Sequence, residues 1–181
     1  MARKSSNNSL LEWSKVIIVA LALAFLVRTF LFTPIVVDGP SMQPTLYDRD
    51  QMIVNKITYR LSDPKRFDIV VFHATSQKDF IKRVIGLPGE HIMMKDNELY
   101  VDGEKVEESF SGSEDSLTYD FQLEELPGGH ETIPEGFVFV LGDNRTNSTD
   151  SRTIGLVPVK DIIGKTNLIY WPLKRVQIVK E

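Results

Sequence analysis

The sequence predicts a mainly β protein: a coiled, antiparallel, barrel-like outer domain with a small acidic inserted subdomain, preceded by one N-terminal transmembrane α-helix. Three observations predict it. The stretch 16–27 is uninterrupted apolar and resumes after Arg28 and Thr29 toward Val37, enough for the roughly 20 residues that cross ~30 Å of hydrocarbon. Beyond it, short β-type runs recur at 51–55, 68–72, 80–85, 91–95, 98–101, 137–141 and 162–170, separated by turn chemistry. No long amphipathic helix interrupts them, so the helix alternation of a parallel sheet is missing.

Taken in order, the apolar stretch comes first. It has almost no polar face, which suits lipid better than a half-exposed globular surface. Arg28 near its end can snorkel to the headgroups. The segment 28–34 lacks small residues at alternate positions, so an uncleaved anchor is expected rather than a removable leader. Arg3, Lys4 and Lys15 flank the N-terminal side against a single Glu12, which keeps the N-terminus in the cytoplasm and everything after Phe32 outside. The expected organisation is therefore a cytoplasmic tail over 1–15, a span over 16–36, and an outer β domain built from 37–102 and 136–181.

The remaining stretch, 103–135, stands out by charge. Ten carboxylates lie between Glu104 and Glu135 against one cation, Lys105. Ser111-Gly112-Ser113 and Pro127-Gly128-Gly129 punctuate it, so a separately solvated flap or small subdomain is expected, with a mobile acidic loop as the alternative. Just before it, Asp96-Asn97 and Asp102-Gly103 are hairpin turns, because these residues tolerate positive φ.

Composition excludes several chemistries. The 181 residues contain no cysteine, which removes disulfides, thiol nucleophiles, iron–sulfur clusters and thiolate zinc sites together. His73, His91 and His130 are the only histidines and form no His-Glu-x-x-His arrangement, so no metal is expected. No glycine loop cradles a phosphate, and no cofactor is called for. A formal net charge of −4 speaks against a nucleic-acid partner. Ser62-Asp63-Pro64-Lys65 has the Ser-x-x-Lys spacing of penicillin-binding enzymes, but Pro64 disfavours the helix that would place both side chains on one face.

Three stretches are denser in chemistry than strands require. In 38–46, Gly39, Pro40 and Pro44 constrain the backbone around Ser41, as fixing an exposed hydroxyl would demand; an ordinary turn serine reads the same way. In 80–90, period two places Phe80, Lys82 and Val84 on one strand face and Ile81, Arg83 and Ile85 on the other. A lysine acting as general base must lose about 3 pKa units, which desolvation among apolar neighbours supplies; an edge-strand lysine reaching to solvent is the alternative. Arg83 cannot substitute, because guanidinium stays protonated. In 137–152, an apolar strand runs into a loop crowded with hydrogen-bonding side chains. There Asp143, Arg145, Asp150 and Arg152 are candidates for paired salt bridges.

Together these residues carry a resemblance. Gly39-x-Ser41-Met42-x-Pro44-Thr45-Leu46, then 68–72, then 81–90, then Gly142-Asp143-Asn144-Arg145-x-Asn147-Ser148-x-Asp150-Ser151-Arg152 resemble, in order, the signature boxes of type I signal peptidases. The single span and compact outer domain are similar to the small Gram-positive members. The resemblance implies a serine endopeptidase at the outer face of the bacterial cytoplasmic membrane. It would remove signal peptides after small residues, as in Ala-x-Ala, from preproteins delivered near the export translocon. It implies Ser41 as nucleophile, Lys82 as general base, Ser148 as the hydroxyl that orients the lysine, and Asp150 as the carboxylate that maintains the site by pairing with Arg152. It further implies that Val37, Gly39, Met42, Leu46, Phe80 and Ile81 line the substrate pockets, and that extended substrate adds beside the Lys82 strand. Relatives with larger outer domains commonly carry a hydroxyl residue where this chain has Gly39, which leaves the Ser41 N–H as the expected oxyanion donor. Lys82, rather than the histidine of the endoplasmic-reticulum branch, points to the bacterial type. Met42 and Leu46 are expected in the core, with a seat on lipid as the alternative. Two competing readings are a self-cleaving repressor, which shares serine–lysine chemistry without a span, and a non-catalytic anchored binding module.

Overall fold

The computed structural model describes residues 6–108, 110 and 118–179. Arg3, Lys4 and the Ser111-Gly112-Ser113 punctuation lie outside the described residues. Helix α1 (Ser6–Leu26) runs into a π-helical turn, Val27–Leu31. Within it, Glu12–Leu31 form the one segment among the described residues long and apolar enough to cross a membrane. Its apolar side chains from Val16 to Phe30 stand exposed, as a surface made for lipid would. Arg28 lies in the terminal turn.

The span was expected to reach residue 36, but the helix ends at Leu31 and Phe32–Val36 form strand β1. Pro34 removes an amide donor and disfavours helix at Thr33, and the β-branched Ile35 and Val36 fit a pleated surface. The chain continues through β2 (Gln51–Asn55), the short helix α2 (Thr58–Leu61), β3 (Ile69–Thr75), β4 (Lys78–Gly86), β5 (Ile92–Lys95), β6 (Glu98–Val101), β7 (Glu104–Val106) and β8 (Phe121–Gln122). It closes with β9 (Phe137–Leu141), α3 (Ser151–Ile154), β10 (Val157–Pro158), β11 (Ile162–Trp171) and β12 (Gln177–Ile178).

Two antiparallel sheets result. The larger has the order β1-β2-β11-β3-β4-β9-β10, with β12 on β11; the smaller has the order β7-β6-β5-β8. The mainly antiparallel fold expected from turn spacing is what the chain adopts. Hairpin turns sit where Asn and Asp allow them: Asp96 (φ 52°), Asn97 (φ 64°) and Asp102 (φ 52°) all occupy the left-handed region.

The acidic stretch is not a separate appendage beginning at residue 103. It supplies β7 and β8 to a sheet whose other two strands, β5 and β6, precede it. Phe121, Leu123 and Ile133 are buried with Ile85, Phe139 and Leu141 of the main sheet. Charge patterning marked the solvated side of this unit; these apolar residues, one or two at a time, carry its attachment. A second core of Val37, Met42, Leu46, Met52, Ile69 and Ile169 lies beneath the Ser41 turn. It buries Met42 and Leu46, so neither is available to seat the domain on lipid.

Candidate active site

The Ser41 turn is fixed at both ends. Val37 N–H donates to Asp50 O at 2.8 Å and Arg49 N–H to Val37 O at 2.9 Å, while Gly39 N–H donates to Asp48 Oδ1 at 3.0 Å. The Asp50 carboxylate accepts from Arg175 Nε and Nη2, both at 2.9 Å. Gly39 occupies the left-handed region at φ +87°, which a residue with a side chain adopts at a cost. Ser41 is thus presented from a short turn anchored below by buried Met42 and Leu46.

Strand β4 brings the lysine. Lys82 Nζ donates to Ser41 Oγ at 2.9 Å and to Ile81 O at 2.9 Å. The side chain is only 3% exposed, and its nitrogen lies 5.1 Å from the centre of the Phe80 ring. Burial pushes the amine down to about 8; Asp150 and Asp143 oppose that fall through their charge. Desolvation wins because both carboxylates are themselves tied up by arginines, as follows.

In the loop between β9 and α3, Asp150 accepts from Arg152 Nε (2.8 Å), Arg152 Nη2 (2.8 Å) and Gly142 N–H (3.0 Å). Burial alone raises this carboxyl, but the Arg152 guanidinium and the Gly142 amide overcome it and hold it below the ordinary carboxylate range. Asp150 also caps α3 by accepting from Arg152 N–H. The other two members of the expected quartet pair outside the loop. Asp143 accepts from Arg83 Nε at 2.9 Å and Nη2 at 2.7 Å. Arg145 binds Glu108 of the small sheet's outer segment. The loop turns Asp143 and Arg145 toward different neighbours, and sequence proximity carries no information about those directions.

The same loop grips the serine from behind. Asn144 N–H donates to Ser41 O at 3.0 Å, and Asn144 Nδ2 to Pro40 O at 3.2 Å. Ser148 Oγ is buried and makes no hydrogen bond with the described residues, Lys82 included, although it lies near enough to Asp150 to favour the ionised carboxylate.

Asn144 and Gly142 stand in the fourth signature stretch, but sequence reasoning assigned neither a role of its own. At Gly142 a Cβ would collide with Ser148 Oγ and lie 2.5 Å from Ser41 O. Gly142→Ala is expected to lower kcat/KM for peptide cleavage about 100-fold, the scale of a ~1 Å misplacement of a reacting group. Steady-state kinetics on the purified variant check it.

Beside the serine and lysine opens a cleft of about 460 Å³. Val37, Gly39, Met42, Phe80 and Ile81 line it, together with Val36. Leu46 does not: it is 0% exposed in the core beneath the turn. Among the described residues, strand β1 pairs only with β2, and β9 joins β4 only from Arg83 onward, so residues 79–82 pair on one side alone. Two open strand edges therefore border one cleft. Among the described residues no group of three or more His, Asp or Glu side chains is placed to hold a metal ion.

Comparison with known proteins agrees with this architecture. Residues 10–171 match the family described as signal peptidase, peptidase S26. The chain is 45% identical to signal peptidase I of Bacillus caldolyticus over 163 residues, covering 87% of this chain and 89% of the relative. It is 43% identical over 182 residues to signal peptidase I P of Bacillus subtilis subsp. natto, covering 98% and 97%. Against signal peptidase IB of Staphylococcus aureus (strain Mu50 / ATCC 700699) it is 40% identical over 175 residues, covering 92% of each. The crystal structure of a signal peptidase I from Enterococcus faecalis V583 superposes with a TM-score of 0.53 at 39% identity, covering 57% of this chain and 97% of that one. A fixed serine, a desolvated lysine and an N-terminal apolar helix thus sit in a sequence with relatives at this identity across most of their length, and the chain belongs to the peptidase S26 family of signal peptidases.

Proposed function

We propose that this chain is a membrane-anchored serine endopeptidase that cuts signal peptides from exported preproteins after small residues, at Ala-x-Ala-like sites, using Ser41 as nucleophile and Lys82 as general base. The observation that carries the reading is the 2.9 Å contact between Lys82 Nζ and Ser41 Oγ in a buried position that opens onto the cleft. A neutral Lys82 takes the hydroxyl proton as Ser41 Oγ adds to the scissile carbonyl. The ammonium then returns a proton to the leaving amide nitrogen, the C–N bond breaks, and the signal peptide stays on Ser41 as an ester. Water deprotonated by Lys82 hydrolyses that acyl-enzyme and restores the serine.

The Ser41 N–H has no partner among the described residues and is the oxyanion donor in this reading, Gly39 offering no hydroxyl. Extended substrate lies between the open edges of β1 and β4, with Val37, Met42, Phe80 and Ile81 admitting only small side chains. The apolar helix holds the domain at the bilayer, close to preproteins emerging near the translocon, with the N-terminus on the cytoplasmic side.

The test is cleavage of a purified preprotein bearing an Ala-x-Ala site by the wild-type chain and by Ser41→Ala and Lys82→Met; cutting retained by either variant overturns the assignment. The titration gives a further prediction. Because the reactive form is the neutral amine, kcat/KM rises about tenfold per pH unit below the lysine pKa and levels off above it, with a midpoint near 8. Initial rates of preprotein cleavage across this range check the sign, and a rate that falls as pH rises toward 8 contradicts it.

A further inference from the structure

Three side chains between β7 and β8, those of Glu108, Phe110 and Tyr119, reach the active-site loop, and the chemistry above uses none of them. The Glu108 carboxylate takes the Arg145 guanidinium through both nitrogens. Both side chains are almost wholly buried, at 8% and 2% exposure. Arg145 Nε meanwhile donates to Gly142 O at 3.1 Å, the carbonyl of the residue whose N–H holds Asp150. The Phe110 ring lies 3.8 Å from the Arg83 guanidinium carbon, over the Arg83–Asp143 pair. The Tyr119 ring lies 5.5 Å from the Arg152 guanidinium carbon, beside the Asp150 pair. Each of the three arginines that bind the loop 142–152 is therefore met from outside by one residue lying between β7 and β8.

The structure assigns Glu108 as a positioning residue of the hydrolytic site, and through it we infer that the small sheet is a brace that holds the loop 142–152 against Ser41 and Lys82. The inference rests on the assignment of Ser41 and Lys82 proposed above. Arg145 is curled back onto its own loop, and a guanidinium so buried keeps that conformation only while a carboxylate faces it. Without Glu108, Arg145 turns toward water and releases Gly142 O. The Asp150 anchor and the Asn144 contact to Ser41 O belong to the same short loop and move with it. Glu108 touches neither the cleft nor the dyad, so its loss acts on the chemical step and spares substrate binding.

The full-length chain in detergent micelles is the material for the test, with a preprotein as substrate. Glu108→Gln is expected to lower kcat about tenfold with KM within twofold, the scale of coupling between packed positions. It is also expected to displace the midpoint of the kcat–pH profile, because Asp143 and Asp150 are the carboxylates whose charge acts on Lys82. Glu108→Asp recovers most of the rate. Tyr119→Leu leaves no buried charge behind and gives a smaller loss in the same direction, which keeps the test open if Glu108→Gln fails to fold. Folded variants with wild-type kcat and pH midpoint overturn the brace, as does a rise in KM at unchanged kcat. Ser41→Ala run in parallel separates the two claims: if it still cleaves, the site assignment falls; if it is dead while the Glu108 and Tyr119 variants match wild type, only the brace falls.

Discussion

Ser41→Ala and Lys82→Met are each expected to lower kcat for preprotein cleavage by about 10⁴- to 10⁶-fold, and the double variant by no more than either alone. The non-additivity follows from the geometry. With Nζ 2.9 Å from Oγ, the amine has no other proton to take at the first step, and the hydroxyl has no other base within reach. The nearest carboxylates are committed: Asp143 to Arg83 and Asp150 to Arg152. Methionine keeps the length and apolar character of the lysine stem, so Lys82→Met should fold and bind substrate with KM near wild type. Lys82→Arg retains the positive charge without the ability to shed it near neutral pH, and is expected to be as inactive as the methionine variant. A rescue by arginine would show that the cation, and not the base, is what the reaction requires. Single-turnover measurement of product, checked by mass, gives the range needed to see losses of this size.

What could be read beforehand follows from which physical signals are local. Strands at Gln51–Asn55, Glu98–Val101 and Phe137–Leu141 run over the residues that alternation and flanking turns marked, because pleat and turn chemistry are set by neighbours in sequence. The end of the helix was passed over although Pro34 marked it: Phe32–Val36 continues the apolar character of the span, and its pairing with β2 completes it as a strand. The two-stranded contribution of the acidic stretch was hidden for a related reason, since β8 is two residues long and owes its place to Met93 and Met94 opposite.

At the site, serine and lysine were found because their surroundings are unusual in composition, a Gly/Pro turn in one case and an apolar strand in the other. Gly142 and Asn144 were quoted in the signature stretch without a role, because that role is a distance to Ser41 O, and no composition encodes it. The same holds for the salt bridges. Asp150 and Arg152 are two residues apart and were legible as a pair, whereas the partners of Asp143 and Arg145 lie 60 and 37 residues away.

That long-range pair sets the largest stability effect. Asp143→Ala is expected to destabilise the protein by about 3–5 kcal/mol, because it strands a buried guanidinium. Arg83 and Asp143 side chains are both 0% exposed, and Arg83 has only the Phe67 carbonyl, at 2.9 Å, and the Phe110 ring left to it. Neither neutralises a charge. Replacing both partners by apolar residues of similar volume, Arg83→Met with Asp143→Leu, should recover most of that loss, since well-packed hydrocarbon commonly equals a buried ion pair in stability. Urea unfolding of the three variants in micelles measures both terms. Activity is expected to part company with stability in the double variant. Asp143 follows Gly142 directly and fixes where β9 hands over to the active-site loop, and its charge raises the affinity of Lys82 for protons. A stable double variant should therefore cleave slowly, and the pH midpoint moves to lower pH in Asp143→Ala, where the carboxylate is lost and the Arg83 charge remains. Full activity at the wild-type midpoint would mean that the pair serves the fold alone.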